Sequence, residues 1–393
     1  MTKVLVLDAM QRSALAVTRS LGKKSIDVTC ADERMRTLAG ASKYCKDRVT
    51  YPSPQHQPDA FIEALVRLAE AQRFDALFPV SDRTTSLVLK HRSRFTGVRI
   101  PYRNPQAFDL LSDKGQLAEL AAKLGIRVPR TRMLRDRSDA IRLADEIGYP
   151  IVIKPVSQAA NVPLRGQTHA NVYYATDCSE LLAVLENRLH LRQQPILLQQ
   201  FIRGTGAGLF TLFHNGAPVV FFAHRRLREK PPSGGVSVLS ESCVADPELV
   251  EVCRKILRHV GWDGVAMVEF KLSSEGTPYL MEVNARFWGS MQLAVDAGVD
   301  FPYLQYQSVM GETPSHSGAY RTGIRERWLL GDLDHLYIRF KNPRRNYPGL
   351  PSTGGAVWEF MKLFQSNTYY EVNRWEDIRP FWFELRSYLA ALC

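Results

Sequence analysis

Residues 264–286 read GVAMVEFKLSSEGTPYLMEVNAR, two alternating runs separated by turn residues, and this stretch restricts the fold more than any other. Val265, Met267, Glu269 and Lys271 fall on one face of a first strand, and Leu280, Glu282, Asn284 and Arg286 on one face of a second, with residues 273–278 supplying the turn. A hairpin centred between Glu275 and Gly276 sets Glu269 directly across from Glu282, with Asn284 two residues further along that face. Two carboxylates so placed repel each other, and a hard cation removes that penalty. Two Glu and one Asn form an oxygen-only set suited to magnesium bridging phosphate oxygens. Arg286, again on that face, can hold a phosphate bidentately. A solvated polar face would show the same alternation with no ligand.

The 393 residues are too many for one ordinary core and imply two or three domains. With 45% apolar and 23% charged residues, the chain has the balance of a globular enzyme rather than of a disordered, collagenous or coiled-coil protein. No run approaches the length of a membrane span and the start lacks a cleavage site, so the expected location is the cytoplasm, with no membrane partner. Six scattered cysteines without CxxC pairs argue against zinc and a disulfide framework. The formal charge of +11 is dispersed and accompanies no nucleic-acid motif, so an anionic small substrate explains part of it and nucleic acid is not expected as a partner.

Residues 3–30 read as strand, helix, strand, the opening of a doubly wound α/β domain, but the first loop carries no GxGxxG and so no redox dinucleotide fingerprint. Asp82 sits at the carboxyl end of a strand, where it serves as a helix cap or touches substrate. Pro101 to Pro105 marks a boundary, followed by a capped helix carrying Lys114 in its first turn. A cation there opposes the helix dipole, so its placement calls for solvent or an anion. The next domain is α+β with mostly antiparallel strands. After Gly311 the chain becomes aromatic and basic, with helical stretches near 328–340 and 375–391.

Within the second domain, Lys154 ends the apolar strand YPIVIKP and can grip a phosphate or simply face water. Loop 155–170 is glycine-poor, with Arg165 and Gly166 available to close over an anion. Gln199, Gln200, Phe201 and Ile202 lead an apolar strand into a glycine-rich turn, and free backbone groups there would fit an adenine ring or an ordinary sheet edge. The run at 224–230 concentrates cations, with Arg225 on one face and Arg226 and Arg228 on the other. These would bind a carboxylate or stabilise phosphoryl transfer, or form a basic edge that discourages strand pairing.

Taken together, Lys114, Lys154 in PIVIKP, LLQQFIRG, Glu269 and the ordered Glu282, Asn284 and Arg286 of EVNARFWGS resemble the ATP-grasp superfamily, most nearly its carboxylate-amine ligase and carbamoyl-phosphate-synthase-like groups, over about residues 1–310. The resemblance implies an α/β and α+β chain: an N-terminal Rossmann-like pre-ATP-grasp domain (1–110), an ATP-grasp domain of two subdomains holding ATP (111–312), and a mostly helical C-terminal extension (313–393). It implies that Lys114 and Lys154 bind ATP phosphates, that Gln199, Gln200, Phe201 and Ile202 line the adenine with Ile153 and Met281, and that Glu269, Glu282 and Asn284 hold magnesium, with manganese as the alternative. Arg286, Lys154 and Arg226 become the catalytic set. A glycine-rich phosphate loop and an acidic ribose contact after the hinge, common in that family, are missing here.

The expected reaction joins a small carboxylate, activated by ATP as an acyl phosphate, to an amine, with ADP and phosphate released. An ATP-binding regulatory module without ligation is the alternative. Asp82, Arg225, Ser237 and Trp288 are candidates for shaping specificity, and an apolar sheet edge in the first domain is compatible with a homodimer.

Overall fold

The computed structural model describes residues 2–155, 172–188, 191, 195–232, 234–341, 352–363 and 365–392. The chain divides into two compact units: Met1–Asp109, Gly208–Val268 and Val283–Cys393 make the first, and Leu110–Ala207 with Glu269–Glu282 the second.

The first unit opens with β1 (Lys3–Val6), β2 (Asp27–Asp32), β3 (Cys45–Thr50) and β4 (Ala76–Phe78), an all-parallel sheet in the order β3-β2-β1-β4. Val4, Leu5 and Val6 are wholly buried, as a parallel strand covered on both faces requires. Helices α1 (Arg12–Lys23), α2 (Pro58–Gln72) and α3 (Asp82–Lys90) follow successive strands of this sheet, and α4 (Pro105–Ser112) ends the segment. Ser81 caps α3 by accepting the Thr84 N–H.

The second unit holds α5 (Lys114–Lys123) and a four-stranded antiparallel sheet of β5 (Thr131–Leu134), β6 (Ile151–Pro155), β7 (Tyr173–Ala175) and β8 (Ile196–Gln200), in the order β5-β8-β6-β7. Helices α6 (Ala140–Ile147) and α7 (Cys178–Asn187) cover one face, where Leu143, Ile147, Leu181 and Leu185 meet Ile151, Ile153, Ile196 and Leu198. Such alternate apolar residues on β6 and β8 leave the other face to Val152, Lys154 and Gln199.

A seven-stranded sheet takes β9 (Gly204–His214), β10 (Ala217–Lys230), β11 (Val236–Cys243), β12 (Gly264–Ser273), β13 (Pro278–Asn284), β14 (Arg325–Arg327) and β15 (Thr368–Tyr370), in the order β13-β12-β9-β10-β11-β14-β15. The chain passes from one unit to the other within β9, β12 and β13. Helices α8 (Pro247–His259), α9 (Met291–Ala297) and α10 (Phe301–Met310) belong to the first unit, as do α11 (Leu329–Lys341), α12 (Thr353–Met361) and α13 (Arg379–Leu392). The helical stretches expected near 328–340 and 375–391 are present. Strands β14 and β15 are additions that alternation could not flag, since Arg325, Glu326 and Arg327 look like surface yet Glu326 and Arg327 are buried. Among the described residues, no helix is long and apolar enough to cross a membrane.

One buried cation ties the start of the chain to its end. Arg19 of α1 is 3% exposed; it donates to Asp377 Oδ2 at 2.8 Å and to the carbonyls of Glu371, Val372 and Asp377 at 2.8, 2.9 and 3.1 Å. Asp377 also accepts from Ser42 Oγ at 2.7 Å and from the Lys43 N–H at 2.8 Å. Replacing Arg19 by Ala leaves a buried carboxylate and three carbonyls short of a donor. R19A is expected to lose about 3–5 kcal/mol in urea unfolding followed by tryptophan fluorescence, and a loss under about 1 kcal/mol would refute the anchoring role.

Candidate functional site

In the second unit four charged groups converge around Lys154. Its ammonium donates to Gln199 Oε1 at 2.8 Å, a diagonal contact set by the β6–β8 register, in which Val152 lies across from Gln199 and Lys154 follows two residues along the same face. Gln199 is itself fixed by donating Nε2–H to Thr131 Oγ1 at 3.0 Å on β5. Desolvation pushes the Lys154 pKa down to about 8; Lys114 and Lys271 push the same way, and Glu282 and Glu269 partly oppose it. Lys114, just inside the Asp113-capped start of α5, meets Glu282 Oε2 at 3.1 Å. That carboxylate answers the unfavourable dipole at Lys114.

The hairpin that brings Glu269 and Glu282 together differs in detail from the alternation read off the sequence. Its turn closes between Ser273 and Thr277, with the Ser273 N–H donating to the Thr277 carbonyl and the Gly276 N–H to the Ser273 carbonyl, both at 2.9 Å. Gly276 takes φ +82°, the left-handed position that ends such a three-residue loop. Continued inward, this pairing puts Met281, not Glu282, across from Glu269. Burial alternates along β13 as far as Met281, but Met281 and Glu282 are both half-buried, so the strand changes phase there. The shift explains how Glu282 and Glu269 can both act on the Lys154 ammonium. Asn284 closes β13 two residues after Glu282; the unit boundary falls between them.

At the hinge the backbone N–H groups of Gln200 and Phe201 are already engaged. Strand β8 is interior, paired on both sides, and the Gln200 and Phe201 N–H groups donate to the carbonyls of Arg130 and Pro150 at 2.8 and 3.3 Å. Phe201 packs edge-on to Tyr174 with centroids 5.7 Å apart, Ile202 is buried, and Ile153 is wholly buried in the helix-covered face. An adenine here would rest on the end of the strand and not along its edge.

In the first unit Arg286 forms a bidentate pair with Asp82, Nε to Oδ1 and Nη2 to Oδ2, each 2.8 Å, and gives Nη1–H to the Phe287 carbonyl at 2.9 Å. Asp82 is thus not the cap of α3, a task Ser81 performs one residue earlier, but the anchor of Arg286. Asp8, two residues past β1, accepts from the Val80 and Ser81 N–H groups, Ser81 Oγ and Thr84 Oγ1. Burial raises the Asp8 pKa and these donors partly restore it. Sequence reading missed this carboxylate; its position just past the end of a parallel strand was the available signal.

The cations of β10 are held by acidic and carbonyl partners. This strand lies inside the sheet, so the basic-edge reading does not hold. Arg226 donates to Glu229 Oε1 and the Gly235 carbonyl at 3.1 and 3.2 Å, Arg225 pairs with Glu241, and Arg228 with Asp332. Trp288 is 1% exposed and packs on Phe210 and Phe301, which places it in the core. Ser237 is half-buried on β11. Loop 156–170, with Arg165 and Gly166, lies outside the described residues. Among the described residues no group of three or more His, Cys, Asp or Glu side chains is arranged around a metal position; Glu269, Glu282 and Asn284 contribute only two such groups, and their oxygens fit a hard cation in kind.

Residues 193–331 match the family described as "ATP-grasp in the biosynthetic pathway with Ter operon". The chain is 26% identical over 288 residues to the carbamoyl phosphate synthase large chain of Kocuria rhizophila, covering 70% of this chain and 24% of that one. For the large chain of Pseudomonas syringae pv. tomato the values are 25% over 284 residues, 70% and 24%, so the chain spans about a quarter of the length of these relatives. Among solved structures it is similar to an L-amino acid ligase from Bacillus licheniformis, with TM-score 0.65, 18% identity, and 82% and 78% of the two chains covered. N5-carboxyaminoimidazole synthetase from Staphylococcus aureus complexed with ADP gives 0.66, 14%, 82% and 80%. The biotin carboxylase domain of the Hydrogenobacter thermophilus 2-oxoglutarate carboxylase, a dimer with MgADP and bicarbonate, gives 0.64, 18%, 82% and 73%. The expected fold is therefore present.

A lysine whose folded pKa lies near 8 against an ordinary 10.5 binds fewer protons folded than unfolded between those values, so stability gains from this group as pH rises through that window and gains nothing below it. Comparing wild type with K154M isolates the effect. The difference in unfolding free energy is expected to move in favour of wild type between pH 8 and 10.5; a difference independent of pH would remove the desolvated ammonium.

Proposed function

We propose that this chain, an ATP-grasp protein by fold and by resemblance, is an ATP-dependent carboxylate-amine ligase acting on small molecules. The observation that carries the reading is the meeting of Lys114, Lys154, Glu269 and Glu282 in the second unit. With Lys271 nearby, three ammonium groups beside two carboxylates make a charge arrangement that a triphosphate with its cation completes. The names of the relatives, carbamoyl phosphate synthase and an L-amino acid ligase among them, point to the same chemistry.

A carboxylate oxygen of the first substrate attacks the γ-phosphorus of ATP, the bond to the β-phosphate oxygen breaks, and ADP leaves. Lys154 and Lys114 donate to the phosphate oxygens as charge moves outward, and a triphosphate there returns Lys154 to its ordinary, fully protonated state. Ile153, Met281 and Gln199 to Ile202 hold the adenine end. Glu269 and Glu282, with Asn284 next on the strand, would hold magnesium or manganese, which supplies neutralisation of the β- and γ-phosphate charge. The amine then attacks the acyl carbon and phosphate leaves, so water must be kept out of the site. Arg286 serves the transferred group by exchanging Asp82 for phosphate, and Arg226 is the second candidate donor. A cytoplasmic setting and a homodimer are part of the proposal. An ATP-binding regulatory module is the second reading, favoured by the pairing of Lys114 with Glu282 and of Arg286 with Asp82.

Hydroxylamine in place of the amine converts any acyl phosphate to a hydroxamate. Magnesium ATP with a panel of amino acids and other carboxylates is expected to give ADP and hydroxamate for at least one acid, while binding without ADP release across the panel would favour the regulatory module. E282A is expected to fold normally and to lower ADP release by at least about a hundredfold; undiminished turnover would defeat the metal assignment.

A further inference from the structure

We propose that the solvent-facing sides of the last three helices form a docking surface for an anionic lipid bilayer. All the exposed tryptophans among the described residues, Trp358, Trp375 and Trp382, fall in this C-terminal region. On α11 the outward positions are Leu333, Tyr337 and Phe340, at the i, i+4, i+7 spacing of one helical stripe, followed by Lys341. On α12 they are Trp358, 69% exposed, and Met361. On α13 the stripe reads Arg379, Trp382, Arg386 and Leu389. Tyr388 donates to Asp334 at 2.5 Å, joining α13 to α11, and α12 packs on α11.

A soluble helix normally turns its polar side outward; these three turn aromatic and aliphatic residues outward, and a cluster of this kind marks an interaction surface. Charge selects the occupant. The fully exposed charges on the described residues of these helices are Lys341, Arg379 and Arg386, all cations, and half-exposed Glu359 is held by Lys362. Tryptophan, tyrosine and aliphatic residues interspersed with Lys and Arg suit the boundary between headgroups and acyl chains of an anionic membrane. A second copy seated on this same face would set Lys341, Arg379 and Arg386 against like charges. No spanning segment is needed, so the absence of a long apolar helix among the described residues is compatible with docking at the surface.

The test is co-sedimentation of the full chain with vesicles of phosphatidylglycerol and phosphatidylcholine, against phosphatidylcholine alone, with tryptophan emission read in parallel. Binding to the anionic vesicles with a blue shift is expected. The double variant W358E/W382E, and separately the double variant K341E/R386E, are each expected to weaken it by about tenfold or more, with melting temperature unchanged. Failure to sediment with anionic vesicles overturns the proposal. So does equal binding by both double variants, or self-association in sedimentation velocity that W358E/W382E abolishes without any vesicle binding.

Discussion

The second unit is organised around an ammonium group held where water is scarce. An isolated charge so placed costs too much to persist, and three separate elements meet that cost: Gln199 from the neighbouring strand accepts a hydrogen bond from it, while Glu269 and Glu282 supply opposite charge from a hairpin far along the chain. Lys114 works against it and is in turn held by Glu282. Lys271 adds a third cation, so three ammonium groups share two carboxylates. A site poised in this way responds to one more anion with a large change in local field, which is what a nucleotide-binding centre needs.

The same logic of compensated burial governs the first unit on a larger scale. Asp332 accepts from both Arg228 and Arg327 on separate strands, and Glu241 from both Arg225 and Arg325. Each acid therefore joins two cations that would otherwise repel, and so fastens β10 and β11 to β14 and α11. The bidentate Arg228–Asp332 pair fixes register as well as charge.

Much of the chemistry was legible because it is local. Alternation exposed Glu269, Glu282 and Asn284 as residues of paired strands, and an apolar run ending in Lys154 exposed a strand-end cation. What remained hidden is set by distance in the chain or by backbone detail. The pairing of Asp82 with Arg286 spans 204 residues, and no pattern within either segment announces it. The interior position of β8 depends on sheet order, which a hinge-like sequence does not encode. A change of strand phase at Met281 and Glu282 is invisible to counting by twos. The edge reading of run 224–230 failed because sheet order, like the partners Glu241 of Arg225 and Asp332 of Arg228, is set elsewhere in the chain.

Arg19 reads the backbone of residues 371–377 as a lock reads a key, through carbonyls that any side-chain sequence would present. Its demand is for geometry at the far end of the chain, so the two ends form one inheritable unit. A recombination that imported a foreign N-terminal α/β segment alone would leave a set of carbonyls shaped for a guanidinium that no longer arrives. Chimeras in this lineage should therefore tolerate crossovers at the second unit, whose core is its own, more readily than between the first strand and the last helix.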